Sequence, residues 1–171
     1  MADVMIAAGL LAIERIVYIL IARDPHGFRR LLGLETRAEA VESVRRLFYV
    51  FKALQIGVFG WWILRDGVAE VASGGPAVVA AGLTLMALGQ VLNLAVFRRL
   101  GTTGTFYGAQ FGYALPRITA FPFSWFRHPQ YLGTVLSIWG LFLAARYPDL
   151  TWYVLPAIET VYYAVATRCE P

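Results

Sequence analysis

Five apolar stretches organise the chain, at residues 4–22, 47–64, 77–97, 131–145 and 150–167. The third runs 21 residues without a charge. As a helix it covers about 31 Å, close to the hydrocarbon thickness of a bilayer. Tyr147, Pro148 and Asp149 form a tight turn signal between the last two stretches, which therefore read as a helical hairpin. Thr36 and Glu39 match a capping box, so a short polar helix over 36–46 is expected to lead into the second stretch. Gly74, Gly75 and Pro76 punctuate the approach to the third. There is no internal repeat. The expected architecture is all-α: one domain, residues 1–171, built as a polytopic membrane bundle of about five spans.

Composition strengthens this reading. Hydrophobic residues make up 58% of the 171 and charged residues only 15%. A soluble domain of this size has too much surface to hide that surplus. The first stretch is not expected to be a cleaved leader, since it lacks a basic start and carries Glu14 and Arg15 within its apolar run. Cys169 is the single cysteine, which excludes an internal disulfide, and with only His26 and His128 beside it no metal site is expected.

Placing the charges adds an orientation. The net charge is +4. Segment 23–46 holds six arginines, segment 98–130 holds four, and Arg168 follows the last stretch; the opposite loops hold only Arg65 and Arg146. Eleven against two predicts an outside N-terminus and a cytoplasmic C-terminus. The positive balance therefore points to topology and anionic lipid, and no nucleic-acid partner is expected.

Segment 98–130 carries the densest candidate chemistry. Gly101, Gly104 and Gly108 fall within eight residues, interleaved with Phe106 and Tyr107. They permit close backbone approach to a ligand beside flat aromatic surfaces. Arg127 and His128 directly precede Pro129, which suits the first turn of the fourth span, and a helix N-terminus with adjacent cations favours an anionic group. The same loop also reads as an interfacial aromatic belt. Gln90 and Asn93 share a helix face, either for hydrogen bonds between spans or beside a ligand. Glu159 and Glu170 lie eleven residues apart, three turns or about 16 Å along one face. Glu159 lies within a span, where an ionisable group usually faces a cavity or a partner. Glu14 and Arg15 read as a structural ion pair or a functional one, and Lys52 as a snorkelling residue or one facing a cavity.

Residues 100–112 (LGTTGTFYGAQFG), 117–123 (RITAFPF), the Pro129–Tyr131 element and the closing Glu170–Pro171 together resemble the phosphatidylethanolamine N-methyltransferase family. The likeness covers roughly residues 74–171, and more weakly the first two spans. The Arg127-His128-Pro129, Tyr131 and Gly133 pattern is also similar to the wider integral membrane methyltransferases, including isoprenylcysteine carboxyl methyltransferases. The resemblance implies S-adenosylmethionine as methyl donor and a phospholipid amine as acceptor. It implies cofactor contacts at Ala87, Leu88 and Gly89, where the family has Gly-x-Gly, and at Cys169 and Glu170, where it has a Glu pair; Ala87 and Cys169 depart from that pattern. Gly104, Tyr107, Gly108, Arg127, His128, Tyr131 and Gly133 complete the expected cofactor set. His128 is the expected catalytic base, since histidine is the residue type that most often exchanges protons in catalysis, and it reads equally as a helix cap or a cofactor ligand. The expected reaction is N-methylation of phosphatidylethanolamine or its mono- and dimethyl forms, in a bacterial inner membrane or the endoplasmic reticulum. The competing expectations are another acceptor (a prenylcysteine carboxylate or a small amine), a sterol-type reductase using a nicotinamide dinucleotide, and a non-enzymatic lipid-binding protein.

Overall fold

A computed structural model describes residues 1–169. Those residues form six α-helices and one short 3-10 turn, with no strand. The helices are α1 (Ala2–Arg23), α2 (Pro25–Leu31), α3 (Arg37–Leu64), α4 (Pro76–Thr105), α5 (Pro129–Arg146) and α6 (Val154–Cys169). Three of them, α1, α3 and α4, are long and apolar enough to cross a membrane. The other two apolar stretches form α5, of 18 residues, and α6, of 16. They are joined by a turn in which Asp149 accepts from Thr151 Oγ1 at 2.7 Å, and Trp139 of α5 donates to Thr160 of α6 at 2.9 Å. Ile56, Leu88, Val91 and Val161 are all exposed. In water such a surface would aggregate; in a bilayer it faces lipid tails.

Local signals explain the helix limits. Thr36 Oγ1 accepts from the Glu39 amide at 3.2 Å, and Glu39 Oε2 accepts from the Thr36 amide at 3.1 Å, so the capping box forms. The expected short polar helix is the first part of one continuous α3, because no breaker lies between Arg46 and Leu47. Sequence reading missed α2, whose start is Asp24 at the N-cap (its carboxylate accepts from Gly27 N at 2.7 Å) followed by Pro25. The third apolar stretch also continues further than expected. Its helix runs to Thr105, with a break at Gly101, where φ is 61° and ψ is −171°. A glycine meets that conformation without the steric cost of a Cβ.

The tightest packing joins α4 to α5. Gly82 and Gly89 on α4 face Gly140 and Gly133 on α5, two levels seven residues apart on each helix. A Cβ at Gly140 would sit 2.7 Å from the Met86 amide nitrogen, and one at Gly133 would sit 2.6 Å from Asn93 Oδ1. Small residues let two membrane helices approach this closely. Gln90 Nε2 donates to Ser137 Oγ across the same seam at 3.0 Å, so Gln90 joins packed helices.

Two apolar clusters fill the interior. One contains Leu11, Phe59, Trp62, Phe142 and Leu155. The other contains Tyr18, Val44, Phe51, Phe106 and Phe111, and ties segment 106–111 to α1 and α3. Beyond the first cluster, at the end holding the C-termini of α3 and α5, buried Arg146 donates to Asp66 at 2.6 Å and also to Asp149. Arg65 stacks on Trp62 at 3.8 Å and donates to Thr151 at 2.8 Å.

Asp66 is held below its ordinary 3.8, chiefly by the Arg146 hydrogen bond. Asp149 is pushed up by burial, but hydrogen bonds from Thr151 and Arg146 outweigh this and leave it lowered. A carboxylate with a lowered folded pKa stabilises fully above its unfolded value and loses that contribution as pH falls through the folded one. The thermal midpoint in detergent is therefore expected to drop as pH goes below about 3.8, and the double variant D66N/D149N to flatten that drop. The effect is modest because Asp66 is half exposed. An unchanged pH slope in the double variant would remove these carboxylates from the account.

Candidate active site

A cavity of about 240 Å³ opens at the other end of the bundle, between α1, α3, the end of α4, segment 106–110, the start of α5, and α6. Each element contributes for a local reason. The break at Gly101 redirects the end of α4, placing Gly104, Thr105, Phe106 and Tyr107 on the wall. Phe106 is fixed by its ring contacts with Phe48 and Phe97, at 5.4 and 6.4 Å. Pro129 occupies the first turn of α5, and the two residues before it, Arg127 and His128, stand at the cavity mouth. His128 occupies the N-cap position but makes no side-chain cap bond. Its ring stacks on Tyr131 at 6.0 Å and 13°, and Tyr131 packs on Tyr163 at 5.3 Å.

The inner end of the cavity is charged. Arg15 Nη2 lies 2.8 Å from Glu14 Oε1 and donates to Tyr163 OH at 2.8 Å. Its guanidinium lies over the Tyr163 ring at 3.9 Å. Lys52 Nζ donates to Gln55 Oε1 at 2.7 Å, and Gln55 Nε2 donates to Glu159 Oε1 at 2.7 Å. Lys52 also lies 3.9 Å from Glu14 Oε1. Glu14, Arg15, Gln55 and Glu159 are buried. Ion pairs held inside apolar helices cost desolvation that packing alone would not require, which makes this end of the cavity a candidate site.

The structure thus brings Gly104, Tyr107, Arg127, His128 and Tyr131 to one cavity. The other expected contacts stand elsewhere. Gly89 and Gly133 are buried in the α4–α5 seam against each other's backbone. Ala87 and Leu88 are exposed on the flank of α4. Gly108 is buried beneath the loop, its amide donating to Thr103 O at 2.8 Å. Cys169 ends α6 half-buried, and Glu170 lies outside the described residues. Tyr18, Phe48, Thr105 and Tyr163 were not identified from sequence as site residues. A lone aromatic in an apolar helix gives no signal of its own, whereas Glu14, Arg15 and Lys52 were visible as charges in apolar runs. Among the described residues, no three His, Cys, Asp or Glu side chains gather as a metal ion needs.

The phospholipid methyltransferase family model matches residues 77–171, more than half of the chain and all of segment 98–130. The chain belongs to the phospholipid methyltransferase family. It is 50% identical over 54 residues to a phosphatidyl-N-methylethanolamine N-methyltransferase of Arabidopsis thaliana, covering 32% of this chain and 33% of that protein. It is 39% identical over 90 residues to the Saccharomyces cerevisiae protein of that name, covering 52% and 43%. It is 37% identical over 96 residues to the phosphatidylethanolamine N-methyltransferase of Homo sapiens, covering 56% and 47%. The chain therefore aligns with between a third and just under half of each of these relatives. No solved structure matches it significantly. The family match leaves out residues 1–76, so Glu14, Arg15 and Lys52 enter the cavity from outside the matched segment.

Proposed function

We propose that the protein is an integral membrane enzyme that transfers a methyl group from S-adenosylmethionine to the amine of a phospholipid headgroup, phosphatidylethanolamine or its mono- or dimethyl form. The observation that carries this reading is the cavity itself. Family-matched residues (Gly104, Tyr107, Arg127, His128, Tyr131) form one part, and Glu14, Arg15 and Lys52 from α1 and α3 form the other.

The donor set suits a ligand with an aromatic ring at one end and a carboxylate at the other. Phe106, Tyr107 and Tyr131 offer flat surfaces, and Arg127 and His128 offer cations at the mouth. Thr105 Oγ1 lies buried on the wall without a hydrogen-bond partner. Such an atom is rare in a native interior, and a ligand hydroxyl or ring nitrogen would satisfy it. When bound, S-adenosylmethionine supplies an electrophilic methyl group on a sulfonium centre. Arg127 would hold its carboxylate, Tyr107 and Tyr131 would flank its ring, and the bend beside Gly104 would leave room for it. The sequence resemblance adds Glu170, which lies outside the described residues, as a further cofactor contact. Gly89 and Gly133 serve the site indirectly by seating α5 on α4, which positions His128 and Tyr131. The acceptor amine must lose a proton before it attacks; His128 is assigned that proton at an imidazole nitrogen. Holding two reactants aligned away from water contributes about 7–11 kcal/mol.

We also assign five spans, with the cavity facing the cytoplasm. The supporting observation is that the helices alternate between two ends. Arg146, Asp66 and Thr151 meet at one end, while segments 23–46 and 98–130 meet at the other, where Arg37 donates to Gly112 O at 2.7 Å and Arg127 lines the cavity. S-adenosylhomocysteine should raise the thermal midpoint of the detergent-solubilised protein, whereas NADPH should not, because a ligand that binds only the native state stabilises it. Stabilisation by NADPH alone would favour the reductase reading; stabilisation by neither would remove the cofactor site.

A further inference from the structure

We propose that Glu14 is the carboxylate of an ammonium-binding subsite at the inner end of the cavity, where α1, α3 and α6 receive the amine of the acceptor headgroup. The proposal rests on the methyl-transfer reading and adds the residue that recognises the acceptor.

Three observations support it. First, Glu14 lines the cavity from the middle of a membrane-length helix, with its side chain only 4% exposed. A carboxylate there is costly unless cations face it. Second, each of the two cations near Glu14 is shared with another partner. Arg15 pairs with Glu14 Oε1 at 2.8 Å and also donates to Tyr163 OH, with its guanidinium over the Tyr163 ring. Lys52 is tethered to Gln55, which is bonded in turn to Glu159, and this leaves Lys52 at 3.9 Å from Glu14, beyond hydrogen-bond length. The Gln55–Glu159 pair thus draws the lysine off the carboxylate and leaves room for a competing ammonium. Third, the carboxylate lines the cavity together with the aromatic side chains of Tyr18, Phe48 and Tyr131. A carboxylate beside aromatic faces is the chemistry that recognises alkylammonium groups, because ring faces attract a cation whether or not it can still donate hydrogen bonds. The subsite therefore suits an ammonium that gains methyl groups, and the hydrophobic tails remain on the lipid side.

The test reads binding without turnover. Dihexanoyl phosphatidylcholine, whose headgroup is fully methylated, is expected to raise the thermal midpoint of the wild-type protein. In E14Q the same rise should require at least tenfold more of this lipid. The rise with S-adenosylhomocysteine should be unchanged, and the KM for phosphatidylethanolamine should rise with little change in kcat. The double variant E14Q/R15Q separates recognition from simple neutralisation of Arg15, because it restores charge balance without restoring the carboxylate. A double variant as impaired as E14Q supports the subsite. Recovery of phosphatidylcholine binding in the double variant, or wild-type binding in E14Q, overturns it. If E14Q does not fold, E14D retracts the carboxylate by one methylene; weakened phosphatidylcholine binding then supports the subsite and unchanged binding overturns it. Loss of all response to S-adenosylhomocysteine in the wild type, with Glu14-dependent phosphatidylcholine binding retained, would contradict the methyl-transfer reading and leave the ammonium subsite standing.

Discussion

His128→Ala is expected to lower methyl transfer at least about 100-fold, the lower end of what a positioned acid or base contributes. The side chain stands at the cavity mouth, stacked on Tyr131, and caps nothing, so its removal leaves the start of α5 intact. Pro129 at the first helical turn keeps that start in place. The loss should therefore appear in activity and not in the thermal midpoint of the ligand-free protein. How the loss divides assigns the role. A fall in kcat with an unchanged response to S-adenosylhomocysteine identifies His128 as the base for the acceptor amine. Loss of the S-adenosylhomocysteine response identifies it as a cofactor ligand beside Arg127. Near-normal turnover would contradict both roles.

Gly140→Val is expected to have the largest effect on folding. The nearest neighbours of a new Cβ there include the Met86 amide nitrogen at 2.7 Å and Met86 Cγ at 2.8 Å. Backbone cannot turn aside as a flexible side chain can, so α5 must lift from α4. Overpacking of a close contact costs about 1–3 kcal/mol, and this contact belongs at the upper end. Any lift of α5 also moves His128 and Tyr131, so the fraction that folds should be inactive. Gly60→Ala, where a Cβ meets nothing within 4 Å, is the control and should be neutral or slightly stabilising. Equal yields and midpoints for the two variants would show that the α4–α5 seam is looser than its geometry.

These expectations draw unequally on sequence and structure. Long apolar stretches, the Thr36–Glu39 box and Pro129 were legible because each is a local signal, acting within one turn or one run. Segment 98–130 stood out because glycines, aromatics and cations are dense there. What could not be read was which side of each span faces inward. In a membrane helix both lipid and neighbouring helices accept apolar residues, so hydrophobic periodicity loses its contrast. Gly89 shows the consequence. Its small size signalled close approach, but sequence could not say whether a ligand or Gly133 would approach it. The inner end of the cavity illustrates the same limit. Glu14, Lys52 and Tyr163 lie on three helices, far apart in sequence, and only the packing of α1, α3 and α6 joins them. Asp24 with Pro25 is a local helix start, but α2 is too short and too polar to show as an apolar run.

The most direct measurement uses the purified full chain in liposomes containing phosphatidylethanolamine, supplied with S-adenosylmethionine labelled in its methyl group. The account predicts that the label enters N-methylated phospholipid and that S-adenosylhomocysteine accumulates in equal amount. No label in phosphatidylethanolamine or its mono- and dimethyl forms, with label instead on a prenylcysteine carboxylate or on no acceptor, would contradict it.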